Sequence, residues 1–267
     1  MTVNSEPEAL LSHLQNADGS ATFSFSGYTV VGAVNGPIEV QRRDELPEEA
    51  AVDVIVRPAA GVGGTRERHL ESLIQSTLRQ IILVDNFPRT LIQIILQVTT
   101  TPENEYVNAK VAQATSGKDI KNILTGRAIL QNLPILPALL QTAVLSLLSA
   151  ALPLTATLTS TSLAVVADGQ SKKVVLNPSP REIETSHSFH VFSFTSHDEL
   201  ILAESEGSFT VKEWDEAFAV AQRQCCPPTN TDDGDTLMDD GSLPGANLKQ
   251  FIRSTLEGKI ASDLYWK

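Results

Sequence analysis

The chain has 267 residues, with 32 Asp and Glu against 20 Lys and Arg, for a formal net charge of −12. Apolar residues make up 42% and charged residues 19%, the balance of a chain that buries a core, which excludes a wholly disordered protein. So acidic a surface does not grip nucleic acid everywhere, because phosphate binding needs cations; any such role has to be local or shared with partners.

Ser20–Ser26 alternates small or polar with aromatic residues, Gly27 and Tyr28 make a turn, and Thr29–Val34 returns. This predicts a β-hairpin, ended by Gly36-Pro37. Glu39–Glu49 reads as a charged connection and Val52–Val56 as a strand, stopped by Arg57-Pro58 and a glycine-rich run. Thr65 is the expected N-cap of a helix reaching about Val84, because Leu70, Leu73, Ile74, Leu78, Ile81 and Ile82 recur at three- and four-residue steps. Phe87-Pro88 breaks it, and Leu91–Val98 is apolar enough for a central strand.

Residues 99–132 are polar without a long period, as in an insertion or long surface loop. Leu133–Leu152 is nearly all apolar, and a membrane span needs about 20 such residues. Pro134, Pro137 and Pro153 cut the helical part to roughly fifteen, and Gln141, Thr142, Ser146 and Ser149 are spread along it. A buried helix packed closely on a sheet is expected, with no membrane contact. Strands follow near Ala156–Val166, Lys173–Leu176, His187–Thr195 and Glu199–Glu204, then a helix over Val211–Gln224 with Thr210 and Glu213 as its capping box. Residues 227–246 carry five Asp and read as a disordered acidic linker, and residues 247–267 hold a short helix around Asn247–Glu257. The body is one α/β (α+β) domain over residues 10–226, with the insertion at 99–132.

Reactive motifs are sparse. Cys225 and Cys226 are adjacent and cannot build a zinc site alone, the five histidines lack metal-ligand spacing, and His187 and His190 fall on opposite strand faces. No cofactor or metal is expected. Asp232–Asp235 and Asp239–Gly241 resemble calcium loops but place Thr at the first ligand position. There is no GxSxG and no Cys with a spaced His. The acidic N-terminal segment does not look like a secretory signal, and the paired free cysteines suit a reducing compartment.

Gly63–Arg66 (GGTR) at a helix start is the best phosphate-binding look-alike, although Thr65 has an equal reason to exist as a plain cap. Before Lys110 the chain has seven Arg and no Lys, while eight acids share the stretch from Arg42 to Arg89. Those Arg either pair with the acids or line an RNA path.

Taken in order, ADGSATFSFSGYTVVGAVNGPIEV (17–40), ELPEEAAVDVIVRPAAGVGGTRERHLESLIQSTLRQII (45–82), FPRTLIQIILQV (87–98) and LPALLQTAVLSLLSAALPLTATLTSTSLAVV (136–166) resemble the RNase PH family. The resemblance covers about residues 10–226 and is nearest to a eukaryotic exosome ring subunit of that family; it lacks the Arg-x-Asp-Gly-Arg element with which other subunits begin. It implies a mixed sheet with packed helices, like ribosomal protein S5 domain 2. The implied partners are other RNase PH-like subunits of a six-membered ring, S1/KH cap subunits, a hydrolytic exonuclease subunit and single-stranded RNA. The implied locations are nucleus, nucleolus and cytoplasm.

Phosphorolytic members place a Gly-Gly-Thr-Arg-like phosphate loop after the strand matching Leu91–Val98; here TTTPENEY stands there, with neither Gly nor Arg. Their two acids six apart align with Ile183 and Phe189. The resemblance therefore implies a structural subunit without catalytic residues, with Arg66, Arg68 and Arg89 as RNA-side positions. The alternative is a phosphate-dependent 3′–5′ exoribonuclease using Arg66 with Glu182 or Glu184.

Overall fold

The computed structural model describes residues 6–43, 45–102, 133–168, 171–226 and 247–265. The expected insertion 99–132 lies outside them from residue 103 on, while its first two residues, Thr99 and Thr100, belong instead to a strand; the acidic segment 227–246, with its calcium look-alikes, also lies outside.

The first sheet is built from β1 (Glu8–Leu11), β2 (Gly19–Phe25), β3 (Tyr28–Glu39), β4 (Ala51–Arg57) and β5 (Thr90–Thr100), in the order β1-β2-β3-β5-β4. The predicted hairpin is β2–β3, turning at Ser26-Gly27. Gly36-Pro37 does not end β3: pairing to β5 jumps from Asn35↔Gln93 to Ile38↔Leu91, so the two residues are accommodated in a bulge. Proline lacks the ladder N–H, and Gly36 takes a φ of 146° that a side chain would resist. β4 and β5 are parallel, Ala51 opposite Leu91, so the connection between them must cross over; α1 (Thr65–Ile81) makes that crossover. The helix stops three residues short of the expected Val84, and a single turn of 3-10 helix covers Val84–Asn86.

α2 (Leu136–Ser149) is the predicted buried helix, with thirteen of its 14 residues buried. No described helix is long and apolar enough to cross a membrane. Two of its small polar side chains fold back onto its own carbonyls: Thr142 Oγ1 donates to Ala138 O at 2.7 Å and Ser146 Oγ to Thr142 O at 2.8 Å. That satisfies each hydroxyl and lets the sheet come close. A Cβ at Gly19 would lie 2.4 Å from Ala150 N.

The second sheet runs β7-β6-β8-β9, from β6 (Leu158–Asp168), β7 (Ser171–Leu176), β8 (Ser186–Thr195) and β9 (Leu200–Gly207), all antiparallel. α2 lies between the two sheets, touching β2 and β3 on one side and β6 on the other. α3 (Pro180–Thr185) is a short helix before β8, and α4 (Val211–Cys225) packs on the outer face of β6 and β8. Thr210 caps α4 as expected, accepting from Glu213 N–H while Glu213 accepts from Thr210 N–H at 2.8 Å. α5 (Leu248–Asp263) runs six residues past the predicted Glu257. Phe251 reaches the Phe23 ring at 6.2 Å, and Lys259 Nζ donates to Ser149 O at 2.5 Å, so α5 is tied to the core of the first sheet.

Candidate functional site

Gly63–Arg66 leads into α1, but the cap is Gly64, not Thr65. Glu67 Oε2 accepts from Gly64 N–H at 2.6 Å, so a carboxylate of the first turn already holds one of the free helix N–H groups that an anion would use. Arg66 is half-buried with its Nε shut off from solvent, whereas Arg68 is exposed. Arg89 is exposed on a positive φ of 62°, its N–H donating to Leu46 O at 3.1 Å and its side chain 3.3 Å from Glu45.

These three Arg are not brought together. Arg66 and Arg68 follow the C-terminal end of β4, whereas Arg89 precedes β5, whose start lies beside the beginning of β4. Seven residues of strand separate the two ends by about 20 Å. One further Arg of this region, Arg79, pairs with an acid, Glu49, as Arg89 does with Glu45.

The aligned acid positions are apolar and packed. Phe189 is 0% exposed on β8, and Ile183 of α3 leans on the core. Glu182 accepts from Ser179 N–H at 2.7 Å and from Ser179 Oγ at 2.8 Å, which caps α3.

On β8 and β9 it is the burial of two titratable groups that the sequence does not reveal. His190 is fully buried between the hydroxyls of Ser188 (3.0 Å) and Ser205 (2.8 Å) and against the Phe209 ring (4.9 Å); burial lowers its pKa to about 4. His187 is exposed, on the opposite face as expected. Glu206 is half-buried with Oε2 enclosed and unbonded, and burial together with Glu204 raises its pKa to about 7. Alternation along a strand marks which face a residue takes, but the depth of that face comes from its neighbours. Burial pushes the Cys225 and Cys226 thiols up to about 12, so both stay protonated and neither acts as a nucleophile at neutral pH. Among the described residues no group of three or more His, Cys, Asp or Glu is placed to hold a metal ion.

The family models described as 3′ exoribonuclease family, domain 1 and domain 2 match residues 8–167 and 158–224. The chain belongs to this family, RNase PH, as the element order had suggested. It is 27% identical over 224 residues to "Exosome complex component RRP46" of Saccharomyces cerevisiae, covering 82% of this chain and 89% of that one. It is 40% identical over 85 residues to "Exosome complex component rrp46" of Schizosaccharomyces pombe, covering 32% of this chain and 38% of that one. The crystal structure of rice (Oryza sativa) Rrp46 superposes with a TM-score of 0.65 at 22% identity, covering 94% of each chain, and so shares the fold.

Proposed function

We propose that the chain is a non-catalytic structural subunit of an RNA exosome ring, supporting 3′–5′ RNA processing and turnover by helping to wall an RNA channel. The observation that carries this reading is the similarity over 89% of the yeast protein's length, since that relative is named as an exosome component. Its partners would be other RNase PH-like ring subunits, S1/KH cap subunits and a hydrolytic exonuclease, working in nucleus, nucleolus and cytoplasm. The ring unit would be residues 10–226, with the insertion 99–132, the segment 227–246 and the terminal helix as additions.

The chemistry of the aligned positions speaks against catalysis. In-line displacement at phosphorus relies on positioned charge, and the side chains of Ile183 and Phe189 offer none. The alternative, phosphorolysis by Arg66 with Glu182 or Glu184, asks Glu182 to leave the cap of α3. Arg66, Arg68 and Arg89 are the proposed RNA-side positions, placed at two ends of the β4–α1–β5 unit and so serving two separate stretches of strand.

Mass spectrometry of a gentle pull-down tests the assignment: other RNase PH-like subunits should copurify, and their absence would overturn it. Labelled oligo-RNA with and without phosphate tests the lack of catalysis. Release of nucleoside diphosphates only with phosphate, lost on Arg66→Ala, would replace the structural reading with the enzymatic one.

A further inference from the structure

β4 is the edge strand of the first sheet, and α1 runs beside that edge. Two α1 side chains act as a substitute strand: Gln75 Nε2 donates to Val52 O at 2.6 Å, and Glu71 Oε1 accepts from Val56 N–H at 2.9 Å. Alternate residues of a strand turn their backbone groups to the same side, so Val54 also presents its N–H and C=O outward. Among the described residues Val54 has no partner on that side. The result is a gap of one backbone pair, at the centre of an open groove of about 520 Å³ between β4 and α1, closed at one end by Gly63-Gly64.

The charges along the groove say what fills it. Glu67 and Glu71 each accept from a backbone N–H and Asp53 from the Gln93 amide at 3.3 Å, but none of the three has a cationic partner among the described residues. Arg57 and Arg68 stand exposed at the same groove, so carboxylates outnumber guanidinium groups three to two. A phosphate backbone would be repelled on balance, whereas a single cation can settle on the unused carboxylate oxygens.

We propose that this groove takes an extended, basic segment of a partner protein, whose backbone pairs with Val54 while a Lys or Arg side chain lies between Glu67 and Glu71. Backbone pairing with a sheet edge supplies affinity, and the carboxylates supply the preference for a cation. The inference does not need the ring assignment, but it competes with one part of it: Arg68, proposed above as an RNA-side position, lines this groove.

The test uses the full chain and an array of eight-residue Thr/Val peptides with a single Lys or Arg moved through every position. Controls are the same peptides with Glu at that position, the same peptides N-methylated at alternate amides, and a uridine 12-mer. Basic members should bind at least tenfold better than their Glu counterparts, lose binding on N-methylation, and slow hydrogen exchange at the Val54 amide. Ser72→Trp, an exposed position filling the groove, should remove binding while circular dichroism stays unchanged. The proposal is overturned if no basic member exceeds its Glu partner, if N-methylated peptides bind as well, if Ser72→Trp binds normally, or if the RNA alone occupies the groove.

Discussion

The two sheets solve the same burial problem differently. The second is covered on both faces, by α2 and α4, and eight consecutive residues of β8, Ser188 to Thr195, are buried. The first has α1 and α2, which touch each other, on one face, and its central strands alternate between buried and half-buried residues. Its half-buried row nonetheless includes Val31, Ala33, Ile55 and Ile95, cross-strand neighbours through Ala33↔Ile95 and Ile55↔Ile95. One sheet is thus complete within the chain, whereas the other carries apolar residues whose burial the described chain only half achieves. Such a face is what a subunit that works beside others would retain.

The sharpest test of this contrast is Phe192→Ala in the second sheet. Phe192 is fully buried and meets Trp214 at 5.6 Å and Phe218 at 5.9 Å, so its loss should cost about 3–5 kcal/mol in urea unfolding. Next comes Gly19→Ala, expected to cost about 2–3 kcal/mol because the added methyl meets backbone at Ala150 and not a flexible side chain.

The pH dependence of stability divides along the second sheet. His190 has a folded pKa of about 4 against 6.5, so the unfolded chain takes up a proton first as pH falls from 6.5 to 4, and up to about 3 kcal/mol is lost over that window. Glu206 works in the opposite sense. Its folded pKa of about 7 against 4.5 means that stability present below pH 4.5 is lost as pH rises to 7, an effect of about 1 kcal/mol after solvent screening. The two partly offset between pH 4.5 and 6.5. Glu206→Gln should therefore steepen the loss on acidification and raise the urea midpoint at pH 8; an unchanged midpoint at pH 8 would contradict the buried-carboxyl account. The smallest effect is expected at the half-buried face: Ile95→Ser should cost less than about 1 kcal/mol in the isolated chain. If it instead matches Phe192→Ala, the two sheets are not as different as their burial suggests.

Much of this was legible in the sequence for identifiable reasons. α2 was readable because prolines bounded an uncharged run with small residues, and α4 because Thr210 and Glu213 have capping-box spacing. The same spacing at Ser179 and Glu182 marks α3, which went unread because six residues carry no helical period. β1 is four residues without a turn signal, so only its pairing with β2 defines it. At α1 the cap is Gly64, which has no side-chain oxygen to offer; Glu67 accepts from its N–H, the half of a capping box that the third helical residue supplies. The arginines were beyond sequence reasoning in another way: their number is visible, but only the parallel crossover sets Arg89 at the far end from Arg66 and Arg68. Glu206 looks like any strand acid until Glu204 and the packed face enclose it.

The Phe23–Phe251 contact bears on how the chain is made. Phe23 belongs to β2 and Phe251 to α5, so 228 residues of synthesis separate this partner from the early strand it covers. Until then the inner face of β2 lacks part of its cover and stays open to non-native contacts.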